Sequence, residues 1–313
     1  MPASPKLRAW LQLVRPPNLF TVPGDPLAGY FLASCMGESS VFQAKSALLT
    51  ALAALLLYMG GLIGNDVADM EEDRRDRPTR PIPSGQVSRF AAVVASALCA
   101  ELGLCAAYYA GWPAFVMACL TQLAIMLYNG GLKKYAIRGA LTMGACRGLS
   151  FMMGAAAAPS LDFEGAFVFV LVASICVTFY IAGVTWIADR ETVEERIGFR
   201  RWIPACAMLV CFLPGCALVL IGFVTDWFID LPTSLFLLLA LTAIGWAFLI
   251  GRRLSGIPPK NVLGASIGGL IRGLLLVQAA FAVLGGTVGL ITAAVLLAFW
   301  PISKAVSRWF YAT

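Results

Sequence analysis

The sequence predicts an all-α, polytopic membrane helix bundle of nine or ten spans, and three observations carry that expectation. Of 313 residues, 60% are hydrophobic and 13% charged, with a mean hydropathy of +0.82. A soluble domain of this length would be far more polar. Apolar windows of about 20 residues, the length that crosses a hydrocarbon core of ~30 Å, recur along the whole chain. Between them, basic residues gather in alternate loops. The simplest organisation is one integral-membrane domain over residues 1–313.

Lys6, Arg8 and Arg15 precede the first window, 19–36. It continues past signal length without an A-x-A-like site, so this helix is expected to stay in the membrane. Further windows follow at 46–65, 90–109, 112–131, 140–158, 166–188, 203–223, 231–250, 265–284 and 287–305. Little more than Gly285 and Gly286 separates the last two, which leaves nine spans with a re-entrant or interfacial tail as the alternative to ten. Arg74, Arg75, Arg77, Arg80 and Arg89 follow the second window; Lys133, Lys134 and Arg138 follow the fourth; Arg190, Arg196, Arg200 and Arg201 the sixth; Arg252, Arg253 and Lys260 the eighth. The opposite loops hold Lys45 as their only base, beside Glu38, Asp162, Glu164, Asp226 and Asp230. By the positive-inside rule the N-terminus and the arginine-rich loops are cytoplasmic, on the inner membrane if the source is bacterial. Lys304 and Arg308 favour the same side for the C-terminus, and hence ten spans. The net charge of +6 is explained by this orientation, and no nucleic-acid partner is expected. Nine cysteines lie in apolar segments without a C-x-x-C, and there is no histidine. That removes a disulfide frame, an imidazole metal site and the commonest general base.

Two acidic stretches stand out. Asp66, Asp69 and Asp73 are spaced i, i+3, i+7, which keeps them within roughly 60° of one helical face, with Asn65 at its edge. Like charges so placed repel, and something positive should sit between them. Hard oxygen ligands suit Mg²⁺, which takes one or two carboxylates and fills its shell with water and substrate phosphates. The arginines that follow match phosphate geometry; a solvated, charge-rich loop at a membrane surface is the plainer alternative. Asp189, Glu191, Glu194 and Glu195 form a second patch four windows later, in the same orientation. A parallel four-helix pseudo-repeat would set the two patches across one central cavity, while a helix end with surface ion pairs explains the second patch alone. Asp25, Glu101, Arg147 and Arg272 are charges at membrane depth, where such residues normally face a bundle interior or a wet cavity. Arg147 is a candidate for reaching a phosphate or for a structural ion pair, and Asp25 is a candidate site residue.

The run Asn65-Asp66-x-x-Asp69-x-x-x-Asp73, followed by Arg77-Pro78-Thr79-Arg80-Pro81-Ile82-Pro83-Ser84-Gly85, closely resembles the first signature of the UbiA superfamily of intramembrane prenyltransferases. The resemblance continues at Arg15-Pro16, at Tyr128-Asn129 with Lys133-Lys134, and at Asp189-Arg190-Glu191, up to about Phe223. The phrases TVPGDPLAGYF and MGACRGLSFMMGA look most like the EboC-like branch. The resemblance implies a helical fold around a cavity open to lipid, a Mg²⁺-bound prenyl diphosphate under a cytoplasmic cap, and prenyl transfer to a lipophilic, often aromatic, acceptor. By matching position, Asp66, Asp69 and Asp73 would hold metal from one wall and Asp189 from the other. Asn65 would contact metal or diphosphate, Arg77, Lys133 and Lys134 would contact the diphosphate, and Arg138 and Arg147 join them as basic residues on the same side. Asn18, Asp25, Tyr128 and Tyr180 are the candidates for the acceptor or the cavity wall. The sequence departs from the family where a second aspartate is usual in the later signature: Val193 stands there, so Glu191 or Glu194 would have to serve as the metal ligand. The functional expectation is a Mg²⁺-assisted membrane prenyltransferase; a transporter or isoprenoid-lipid-binding protein using the same acidic patches is the alternative.

Overall fold

The computed structural model describes residues 4–36, 42–159, 166–189, 195–224 and 230–310, and these are helical with no strand among them. Two short helices, α1 (Pro5–Val14) and α2 (Pro16–Leu19), lead into α3 (Gly24–Met36) and α4 (Ala44–Ala68). After the short α5 (Met70–Asp76) come α6 (Arg89–Ala110), α7 (Trp112–Asn129), α8 (Ala136–Ala156) and α9 (Ala166–Ala188). The chain finishes with α10 (Ile203–Val224), α11 (Leu231–Arg253), α12 (Lys260–Ala282) and α13 (Gly286–Val306).

Each window read from the sequence overlaps one of the long helices, the first, 19–36, only from Gly24 onward. Among the described residues, six stretches are long and apolar enough to cross a membrane by length and composition: α4, α6, α7, α9 from Phe167, α11, and α12 with α13 as one run of 47 residues. Outside these six stretches lie α3, α8 and α10, and the first two fall short for visible reasons. The 13 residues of α3 rise only about 20 Å, because prolines at 16, 17 and 23 bend the chain before it. In α8, Arg138, Arg147 and four glycines dilute the apolar sequence.

Successive long helices pack on one another from α3 to α12, and α12 returns to α3, closing a ring. The order of pairing repeats: α3, α4, α6 and α7 neighbour one another as α8, α9, α10 and α11 do, and α3 packs on α8. Inside, many alanines, among them Ala28, Ala53, Ala107, Ala118 and Ala155, are buried beside large side chains such as Tyr30, Phe31, Phe151 and Phe212; outside, Leu98, Leu102, Leu123 and Leu241 are exposed. That arrangement suits a bundle in lipid, where close backbone approach rather than leucine burial drives association.

A second, separate apolar cluster matters more for the site. Ala9 and Leu13 of α1 pack with Ile63, Met70, Ile82, Val87 and Ala92, so α1 and the loop after α5 are fastened to the end of α4. Ser4 caps α1 by accepting from Leu7 N–H at 3.3 Å, which fixes where this helix starts.

Candidate active site

The site forms where α4 runs out of apolar sequence. Its 25 residues make a helix of about 37 Å, longer than a ~30 Å hydrocarbon core, so its final turn reaches the polar boundary. The helix breaks at Asp69 and resumes as α5. Asp69 N–H still donates to Asn65 O at 2.9 Å, and Asp73 N–H to Asp69 O at 2.8 Å. The i+4 ladder thus crosses the break and keeps the acidic residues in register.

The repulsion expected among these carboxylates is met by three of the chain's own cations. Arg80 Nη1 lies 2.7 Å from Asp73 Oδ2 and 3.7 Å from Asp66 Oδ1. Arg15 Nη2 stands 3.6 Å from the same Asp66 oxygen. Lys133 Nζ donates to Asp69 Oδ1 and, at 2.8 Å, to Asn65 Oδ1; Asn65 Nδ2 in turn donates to Asp69 Oδ2 at 3.0 Å.

Each cation is delivered by irregular backbone. Arg15 links α1 to α2 in the left-handed region, at φ 47°, and is the only non-glycine with positive φ among the described residues; a proline after it disfavours the ordinary helical conformation. Arg80 arrives on a tight turn in which its N–H donates to Arg77 O at 3.0 Å, and buried Ile82 anchors the chain just beyond it. Lys133 sits on the single helical turn Leu132–Lys134, entered through Gly131 at φ 138°, which an L-residue rarely adopts.

A cavity of about 790 Å³ opens beside this cluster, within the usual size of a small-molecule site. Asp69 and Asp73 line it from the α4–α5 side, and Asp189, just past the end of α9, lines it from the other. The two acidic helix ends therefore face one space. Arg15, Arg77, Arg80, Lys133 and Arg147 also line it, with Met143, Ile181, Val184, Ile267, Ile271 and Leu274 forming an apolar side. An apolar crevice of about 90 Å³ adjoins it between α4, α7 and α8, sharing Arg15, Asn65, Tyr128 and Arg147.

Of the residues singled out in the sequence, Asn18, Asn65, Asp69, Asp73, Arg77, Tyr128, Lys133, Arg147 and Asp189 border the cavity. Asp66 is buried against Arg15 and Arg80. Four others lie elsewhere. Lys134 and Arg138 are exposed, and the Arg138 guanidinium lies 5.1 Å from the Tyr135 ring centroid. Tyr180 is buried and its hydroxyl donates to Leu270 O at 2.7 Å. Asp25 is buried against Arg147 and does not line the cavity. Glu191, Glu194 and Val193 lie outside the described residues. Arg80 is one of the arginines read from the sequence as matching a phosphate, and it meets the carboxylates instead; Arg15 carried no site role in the sequence reading. Their signals are Arg15 immediately before two prolines and Arg80 inside a proline-rich turn, both of which force a reversal toward the helix end. Gln278 of α12, whose side-chain amide reaches Asp25, had only the weaker signal of a lone amide in an apolar helix.

Among the described residues, no three acidic, cysteine or histidine side chains converge as a ready-made metal cluster, since each first-motif carboxylate faces a cation. The donor chemistry nonetheless fits a hard divalent ion. Asp66 Oδ1 is buried and accepts no hydrogen bond, its guanidinium neighbours standing only at ion-pair range. Such an oxygen is short of a close donor or ligand.

A model of the UbiA prenyltransferase family matches residues 27–252. Digeranylgeranylglyceryl phosphate synthase of Saccharolobus solfataricus is 31% identical over 148 residues, 47% of this chain and 51% of that protein. The chain spans about half the length of the curated relatives it matches. A solved structure described as digeranylgeranylglyceryl phosphate synthase in membranes aligns with a TM-score of 0.60 at 21% identity, over 88% of this chain and 97% of that one. A homologue from Archaeoglobus fulgidus, solved with GPP and Mg²⁺ bound, aligns with a TM-score of 0.52 at 15% identity, over 88% and 99% of the two chains. These two likenesses concern the fold.

Proposed function

Because this chain belongs to the UbiA prenyltransferase family, we propose that it is an integral-membrane enzyme that moves the prenyl group of a prenyl diphosphate onto a lipophilic acceptor. One observation carries the reading: the two acidic helix ends and a set of lysine and arginine side chains border a single cavity that is apolar on its remaining side. That combination suits a molecule with a multiply charged head and a hydrocarbon tail.

In the reaction the allylic C–O bond breaks, the diphosphate leaves with the electron pair, and the allylic cation forms its new bond to the acceptor, which gives up a proton. Charge develops on the leaving diphosphate, and preorganised donors aimed there supply the largest class of catalytic effect. Lys133, Arg77 and Arg147 are such donors, and Arg15 and Arg80 join them when they leave Asp66 and Asp73. Asp66, Asp69 and Asp73, with Asn65, would hold Mg²⁺ on one wall and Asp189 on the other. When bound, the metal supplies neutralisation of the diphosphate's charge. Met143, Ile181, Val184, Ile267, Ile271 and Leu274 keep water from the cation. Tyr128 and Asn18 are assigned to the wall beside the reacting carbon. No nucleophilic side chain is needed, so the lack of histidine is compatible with the chemistry.

The finer assignments belong to the same proposal: one membrane domain over the chain, nine or ten spans, cytoplasmic motif loops, and membrane lipid around the bundle. The relatives' name makes a phosphate-bearing isoprenoid glycerol lipid one acceptor to try beside aromatic ones.

In purified protein, a labelled prenyl diphosphate should be consumed only with Mg²⁺, and Asp69→Ala should lower the rate by about 10²–10³-fold. Unchanged turnover in that variant would end the proposal. Mg²⁺-dependent binding of a prenyl thiodiphosphate with no turnover of the diphosphate, across a panel of acceptors, would point instead to a lipid-binding role.

A further inference from the structure

The guanidinium of Arg147 is committed on two of its three nitrogens. Nη2 donates to Thr21 O at 2.8 Å and lies 3.3 Å from Thr21 Oγ1. Nε is 2.5 Å from Asp25 Oδ2, a charge contact off the hydrogen-bond axis. The other Asp25 oxygen accepts from Gln278 Nε2 at 2.6 Å, and the same nitrogen donates to Thr21 O at 2.7 Å. Side chains from α8 and α12 thereby share one backbone carbonyl, and the α3 carboxylate is held between them. Asp25 and Gln278 are each 1% exposed. None of the described hydrogen bonds uses Arg147 Nη1, and Arg147 lines both the cavity and the crevice, near Arg15 and Asn65.

The backbone leaves this arrangement no slack. A Cβ on Gly154 of α8 would fall 1.8 Å from Pro26 O, and one on Gly24 would fall 2.0 Å from Gln278 Oε1. The first turn of α3 is thus in backbone contact with α8 and seated directly on Gln278. An arginine on a helix in an apolar bundle could be neutralised by any nearby carboxylate. Here the carboxylate's second oxygen is held by an amide, and the amide by the carbonyl that the arginine also uses, which fixes the orientation of the guanidinium as well as its charge.

We propose that Asp25 and Gln278 are positioning residues that hold Arg147 so that Nη1 presents one fixed donor to an oxyanion of the prenyl diphosphate. The inference rests on the prenyl-diphosphate reading above and adds the two residues that act through Arg147.

The test compares Asp25→Asn, Arg147→Gln, their double variant and Gln278→Leu. It measures the thermal midpoint and the affinity for geranyl thiodiphosphate with Mg²⁺. Either single charge change leaves a buried partner uncompensated and lowers the midpoint; the double variant is neutral and regains it. If Arg147 touches the ligand, affinity stays reduced by about tenfold or more in the double variant, as in Arg147→Gln. Gln278→Leu, which keeps both charges, should also lose affinity. A double variant that regains wild-type affinity along with its midpoint would overturn the positioning role, as would a Gln278→Leu protein that binds like wild type. Failure of the wild-type protein to bind the thiodiphosphate would instead overturn the reading beneath it.

Discussion

Two charge clusters meet at the same cavity, the inner one through Arg147 alone, and they are built in opposite ways. In the outer one, the carboxylates belong to the end of α4 and to α5, while every compensating cation comes from irregular backbone: Arg15 between two short helices, Arg80 on a turn, and Lys133 on a single helical turn. Two of its contacts are long, 3.6 and 3.7 Å to Asp66, and the Arg80 and Lys133 side chains remain 22% and 16% exposed. In the inner one, Asp25 and Arg147 sit on regular helices, 1% and 8% exposed and 2.5 Å apart, with a glutamine bridge behind them. The outer cations are held by loops and turns rather than by the contacts between long helices. The inner pair is held by such a contact, so moving it means separating α3 from α8.

The contrast predicts its largest effect at the inner pair. Asp25→Asn removes one charge and leaves Arg147 buried without a counterion, which typically destabilises by about 3–5 kcal/mol. Thermal unfolding in detergent should show this as a large fall in the midpoint, and a loss below about 1 kcal/mol would show that the inner cluster is as loose as the outer one. Arg80→Gln should do something different in kind. Arg80 competes with a divalent cation for Asp66 and Asp73, so its removal should tighten Mg²⁺ binding in the absence of diphosphate, by about tenfold for a coupling near 1.4 kcal/mol. With a prenyl thiodiphosphate present the same change should weaken binding, since one anion contact is lost. Calorimetry under both conditions gives the two signs; the same sign in both would mean that Arg80 does not exchange partners.

How much of this was legible in the sequence follows the same division. Helix identity and order were readable because windows of about 20 apolar residues and alternating loop charge are strong, redundant signals. The outer carboxylates were readable because i, i+3, i+7 spacing on one helix needs no tertiary information. Which cation meets which carboxylate was not. Arg80 reaches Asp73 through a turn whose course is set by buried Ile82 and Val87, and Lys133 reaches Asp69 from a residue 64 positions away. Asp25 and Arg147 were each visible as a charge out of place, but their pairing depends on how closely α3 and α8 approach, which is fixed by Gly154 against Pro26. Lys134 and Arg138 illustrate the converse: on a one-turn helix and the helix after it, basic side chains close to Lys133 in sequence are exposed and do not line the cavity.

The smallest effect is expected at a third pair, which tests whether burial rather than distance sets the ranking. Arg74 Nη1 lies 3.3 Å from Glu71 Oε2, closer than either contact made by Asp66 Oδ1, and on the same short helix as Asp73. Its side chains are 59% and 71% exposed. Water screens the attraction, and holding two long side chains in one geometry costs rotamer freedom, so such i,i+3 pairs contribute under about 0.5 kcal/mol. Arg74→Ala should therefore leave the thermal midpoint almost unchanged and leave Mg²⁺ binding as in wild type. It should do so although it alters net charge by the same amount as Arg80→Gln. If Arg74→Ala instead tightened Mg²⁺ binding as Arg80→Gln is expected to, the effect at Arg80 would be a general field effect of losing one positive charge near the acidic helix end. The specific exchange between Arg80 and a metal ion at Asp66 and Asp73 would then have no support.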